Sequence, residues 1–103
     1  MEYLIYLIRD IMYCKPGQVR PMVEKFKQLN KVMKKMGFGT MRIMTDVSAE
    51  RYWTVVAETE TKDLAEYADM SRQTMKDKNL QKAMKDYHDL VTGGRREIYT
   101  LEG

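Results

Sequence analysis

Few residues of this chain could do chemistry, and they are scattered. There is one histidine, His88, and one cysteine, Cys14. A histidine acts as general base only with a substrate in hydrogen-bond reach. His88 follows Tyr87, which takes part in an apolar stripe, so it is expected at the stripe's edge. A helix C-terminus there would favour its charged form. No second histidine or ordered carboxylate cluster accompanies it, so no metal site is expected. A lone cysteine excludes an internal disulfide framework and a thiolate cluster for zinc. Cys14 therefore reads as a packed small hydrophobe, since activation would need a base or cation beside it.

The opening stretch "YLIYLIRDIMYC", residues 3–14, is more informative. As a strand it is apolar on both sides. Tyr3, Ile5, Leu7, Ile11 and Tyr13 fall on one face, and Leu4, Tyr6, Ile8, Met12 and Cys14 on the other. Arg9 and Asp10 are neighbours and must point to opposite faces. A charge on a strand covered on both sides costs several kcal/mol, roughly, unless it is paired. The candidate partners are Glu58 on a neighbouring strand and Arg95, Arg96 or Glu97 on the last one. Whichever of Arg9 and Asp10 faces the helices would be a polar anchor in a pocket.

Tyr6, Tyr13, Tyr52, Tyr67, Tyr87 and Tyr99 lie on elements that should meet, and buried tyrosines suit an aromatic ligand pocket as well as a core. The methionines read the same way. Met22, Met33 and Met36 share a helix face, and Met70, Met75 and Met84 lie in a second helical region, where they would fill gaps or line an adaptable pocket. The ligand-binding candidates are Tyr6, Arg9, Asp10, Tyr52, Trp53, Tyr67 and Tyr87. His88, Trp53 and Asp10 are the candidates for catalysis.

The elements that must position these residues follow from periodicity. After the first strand, Pro16 biases Lys15 away from helix and Gly17 completes a turn. Val19, Met22, Val23, Phe26, Leu29, Val32, Met33 and Met36 recur at helical spacing, with Gly37 as the stop. Pro21 must lie in the first turn of this helix. Residues 39–47 read as a strand, "SAER" as a turn, and "RYWTVVAETE" as a third strand. Asp63 with Glu66 resembles a capping box. Leu64, Tyr67, Ala68, Ser71 and Met75 mark a helical face that slips by five residues to Leu80 and resumes as Ala83, Met84, Tyr87 and Val91, so two helical segments broken near Asn79 are expected. Gly93-Gly94 should end the helices, and "RREIYTL" should form the last strand.

The order β-α-β-β-α-β predicts an α+β, ferredoxin-like fold, with a four-stranded antiparallel sheet and both helices on one face. One domain spans residues 1–103. The other face of the sheet would expose more apolar surface than a monomer normally leaves open, so a homodimer through that face is expected. At 103 residues, 44% hydrophobic, 32% charged and +3 overall, the chain is globular. The dispersed lysines carry no nucleic-acid recognition motif. The start lacks signal-peptide features, and no apolar run reaches the roughly 20 residues of a membrane helix, so the cytoplasm is expected.

With "YCKPGQVRPMVEKFKQL" and "RYWTVVAETE" in this order, the chain resembles the dimeric α+β barrel superfamily, and within it the NIPSNAP-like and antibiotic-biosynthesis monooxygenase-like proteins. The resemblance implies two sheets packed face to face and a ligand pocket between each sheet and its own helices. It implies binding, and in an enzyme cofactor-independent oxidation or other conversion, of a small aromatic or lipid-like molecule. A non-catalytic dimeric module is the alternative, and whether the chain is an enzyme stays open. Heme-degrading members use a strand tryptophan, an asparagine on the first strand and a histidine on the second helix. Trp53 matches the first. Residues 3–14 contain no asparagine, His88 lies too late, and Lys62, Asp63 and Leu64 supply no heme ligand, so no cofactor is expected.

Overall fold

The computed structural model describes residues 4–102. Tyr3, assigned above to the first strand, lies outside the described residues. The order is β1 (Tyr6–Cys14), α1 (Val19–Lys35), β2 (Arg42–Thr45), β3 (Thr54–Thr61), α2 (Leu64–Thr74), α3 (Lys78–Met84), a 3-10 turn (Tyr87–Asp89) and β4 (Val91–Thr100). The sheet runs β2-β3-β1-β4 with antiparallel pairing throughout, so β1 and β3 are central as the ferredoxin-like order requires. No helix among the described residues is long and apolar enough to cross a membrane.

Alternation sorts the strands into two faces. Ile8, Asp10, Met12 and Cys14 of β1 share a side with Val55 and Ala57 of β3, and this side packs on the helices. The core there joins Cys14, Val55 and Ala57 to Met22, Val23, Phe26 and Met33 of α1. Leu7, Arg9, Ile11 and Tyr13 share the other side with Glu58, Val56 and Thr54. The Cα framework measures 17 Å along its shortest axis, which suits one sheet and one helix layer. The helices therefore cover one face only.

Local chemistry explains the ends of α1. Gly17 at φ 80° and the Gln18 N–H donating to the Lys15 carbonyl complete a Pro-Gly turn. Pro21 lies in the first turn, where its missing N–H leaves nothing unpaired. At the other end Gly37 takes φ 85°, its N–H donates to Lys34, and the Phe38 N–H donates to Met33 at 2.8 Å. This pair of bonds is a Schellman cap. Asn30 then holds the chain entering β2, donating to the Met41 carbonyl at 3.0 Å and accepting its N–H at 2.8 Å.

Several expectations need correction. The third strand starts at Thr54, so Tyr52 and Trp53 are not strand residues. Trp53 sits at φ 63°, a left-handed conformation that costs a bulky residue about 1–2 kcal/mol. The second strand is shorter than residues 39–47. The second helical region divides into two segments as expected, but the break falls at residues 75–77, a few residues before Asn79, where the Asp77 carboxylate caps α3 by accepting the Leu80 N–H. The capping box is half formed: Asp63 accepts from Ala65 and Glu66, while its own N–H goes to the Thr61 hydroxyl.

Gly93 and Gly94 do not end a helix; they lie inside β4. A Cβ on Gly94 would stand 2.6 Å from the Ile11 carbonyl oxygen and 3.2 Å from the Met12 sulfur. Glycine is there because β4 crosses β1 closely, next to a register shift between Tyr13 and Cys14.

Candidate functional site

Asp10 is on the helix-facing side of β1, directly opposite Arg96 of β4. Arg96 donates through Nε to one Asp10 oxygen at 2.6 Å and through Nη2 to the other at 3.2 Å. This fork-to-fork geometry fixes both planes. α2 brings Tyr67 over the pair, with its ring centroid 5.7 Å from the Arg96 guanidinium carbon. Among the described residues the Tyr67 hydroxyl has no hydrogen-bond partner. Burial raises the Tyr67 pKa above its ordinary value, and the nearby Asp10 charge adds to this, so the phenol is a neutral donor at neutral pH.

These three groups line one part of a cavity of about 180 Å³ between the sheet and α1 and α2. Leu29, Met33, Met41, Met70 and Met75 supply its apolar wall, with Ser71 and Thr74 on α2. The Thr74 hydroxyl donates to the Met70 carbonyl at 2.7 Å, so it is committed to its own helix. A groove of about 450 Å³ near β3 and α2 shares Tyr67 and Met70 with the cavity. A cavity of roughly 150 Å³ accepts one benzene ring, which sets the size class here. Three convergent polar groups in an otherwise thioether and aliphatic wall form a pocket for a small, mostly apolar molecule with one polar substituent.

The remaining candidates lie elsewhere. Arg9 is on the opposite face, bound to Glu58 at 3.3 Å and 5.8 Å from the Tyr99 ring centroid. Tyr6 is half-buried on the helix-facing side of β1 but does not line the cavity. Tyr52 is 84% exposed and Trp53 44% exposed, in the loop before β3. Tyr87 packs against the core from the 3-10 turn, with its ring 3.9 Å from the exposed His88 ring. Sequence reading found Asp10, Tyr67 and three of the methionines, and treated Arg96 only as a possible ion-pair partner. Its β4 register against Asp10 makes it part of the site.

The heme arrangement does not fit. Neither Trp53 nor His88 lines the cavity. Among the described residues no three of His, Cys, Asp and Glu are grouped to hold a metal. Cys14 is buried, and burial, with the Asp46 carboxylate adding to it, raises its thiol pKa, so it is a poor nucleophile.

No protein-family model matches this sequence, and no curated protein matches it. Solved structures match its fold. A NIPSNAP family protein of Agrobacterium tumefaciens superposes with TM-score 0.81 at 10% identity, over 99% of this chain and 90% of its own. A second NIPSNAP family protein of that organism, of unknown function, gives 0.75 at 15%, over 96% and 88%. A Chloroflexus aurantiacus protein provisionally assigned as an antibiotic biosynthesis monooxygenase gives 0.69 at 12%, over 96% and 94%. At such identities the likeness is one of fold. This chain has the ferredoxin-like α+β fold that the NIPSNAP and monooxygenase-like proteins share.

Proposed function

We propose that the protein binds a small aromatic or similarly apolar molecule, about one ring in size, in the cavity between its sheet and helices. The observation that carries this is the Asp10–Arg96 pair with the Tyr67 hydroxyl, which has no partner among the described residues, set in a wall of methionine and leucine. A ligand hydroxyl can donate to a remaining Asp10 lone pair and accept from Tyr67. Binding is favoured over conversion because both Asp10 oxygens already accept hydrogen bonds from Arg96. The residues at hand offer no better base within the cavity. A cytoplasmic location belongs to the same reading, supported by a chain without a disulfide framework.

Ser71→Leu tests the site, because leucine fills the cavity from α2 and is the better helix former. p-Cresol should raise the melting temperature of the wild-type protein saturably. The variant should be as stable as wild type or about 0.5–1 kcal/mol more so, and should lose the response. An unchanged response in Ser71→Leu would place the ligand elsewhere.

The reading includes a homodimer through the open face of the sheet. It is supported by Met44 at 38% and Tyr99 at 46% exposure on that face, with Val47 fully exposed in the adjoining loop. Sedimentation equilibrium at low micromolar concentration should give a dimer. A stable 12.2 kDa monomer would remove this part of the proposal.

A further inference from the structure

Two residues of α2 border both the sheet–helix cavity and the groove beside it. Tyr67 and Met70 line the 180 Å³ cavity and also the 450 Å³ groove. Being three positions apart, they stack on one side of the helix. A side chain that lines two adjoining spaces is the wall between them. Beyond this wall the groove runs past Thr59 and Thr61 of β3 on one side and Phe38 and Gly39, after α1, on the other. A Cβ added to Gly39 would meet nothing within 4 Å, so the backbone there faces open space.

The two halves of the wall differ. The Tyr67 ring lies over Arg96, and its phenol belongs to the polar end of the cavity. Met70 contributes an unbranched thioether, partly buried and packed against the core. Its backbone is held in place, because the hydroxyl of Thr74, a residue only 1% exposed, donates to the Met70 carbonyl at 2.7 Å. On a turn pinned in this way, the length of one slender side chain decides whether the two spaces are separate or continuous.

We propose that Met70 is the residue that limits the guest to a single ring, by closing the cavity off from the groove. This rests on the binding of a small aromatic molecule in the cavity, and adds what sets the upper size. A space of 180 Å³ has room for a ring with a methyl group. A butyl chain on the same ring needs the groove, and the Met70 thioether stands in its way. The class selected is therefore phenols without a chain.

Calorimetric titration of the full chain and of Met70→Ala, with p-cresol and with the ortho-, meta- and para-butylphenols, tests it. Wild type should bind p-cresol, and each butylphenol about tenfold or more weakly than p-cresol. At least one butylphenol should bind Met70→Ala about tenfold or more tightly than it binds wild type. Gly39→Leu, added to that variant, should remove the gain by filling the groove. Alanine is the better helix former, so α2 should persist, and a circular dichroism melt checks this. The wild-type selectivity needs no variant, so the proposal stays testable even if Met70→Ala does not fold. Butylphenols that bind wild type as tightly as p-cresol overturn it. So does a folded Met70→Ala without the gain, or a gain that survives Gly39→Leu. Absence of p-cresol binding to wild type is a different failure, which removes the cavity reading and this inference with it.

Discussion

Arg9 and Asp10 are adjacent in sequence, carry opposite charges, and lie on opposite faces of the same central strand. Each is paired with a residue on a neighbouring strand, yet the two pairs do different things. Arg9 belongs to a ladder: it shares Glu58 with Arg42, which also reaches Glu60 at 3.5 Å. Glu58 is 8% exposed, so the ladder holds a buried carboxylate on a face without helices. Among the described residues Asp10 is held by Arg96 alone, beside a cavity, and the Arg96 side chain is 51% exposed. A charge network that satisfies a buried group is structural. A pair at the edge of a void can share its lone pairs with a guest.

The sharpest test of the two faces comes from the adjacent glycines of β4. Gly94 is on the helix side and Gly93 on the open side, where an added Cβ meets nothing within 4 Å. Gly94→Ala forces β4 off the β1 backbone and should cost about 3 kcal/mol, read as a large drop in the urea midpoint. Gly93→Ala should be neutral or stabilise by about 0.5 kcal/mol. Equal effects would mean that the β1–β4 approach is looser than described.

The charge pairs come next. Arg9→Met leaves Glu58 with one partner and should cost about 2 kcal/mol. This is less than the 3–5 kcal/mol of a fully buried pair, because the Arg9 side chain is 36% exposed. Asp10→Asn should cost about 1 kcal/mol or less, as expected for a half-exposed pair, yet weaken p-cresol binding. A reversal, with Asp10 the more costly and ligand binding untouched, would break the comparison.

The smallest effect is in pH. Burial alone would raise the Glu58 pKa, but hydrogen bonds from Arg42 and Arg9 outweigh it and hold the group below its ordinary 4.5. A carboxylate depressed in the folded state contributes stability that is fully present above its unfolded value. That contribution is lost as pH falls through the folded one. Melting temperature should therefore fall more steeply below pH 4.5 in wild type than in Glu58→Gln.

Sequence alone determined the topology, because two-residue and helical periods, the Pro-Gly turn and the Gly37 stop are all local signals. It also put Arg9 and Asp10 on opposite faces, since alternation requires it, and named Glu58 and Arg96 among their partners. It misplaced Tyr52 and Trp53, whose β propensity is high. The chain turns at Trp53 through a left-handed conformation that propensity disfavours, while the segment before it is held over the open face by contacts to Tyr13 and Arg95. Gly93-Gly94 looked like a helix stop because glycine marks both chain ends and close approaches, and only the position of β1 distinguishes them. The cavity beside Asp10 was likewise beyond local reading. A void is space that side chains from β1, β4, α1 and α2 fail to fill together, and no single segment encodes it.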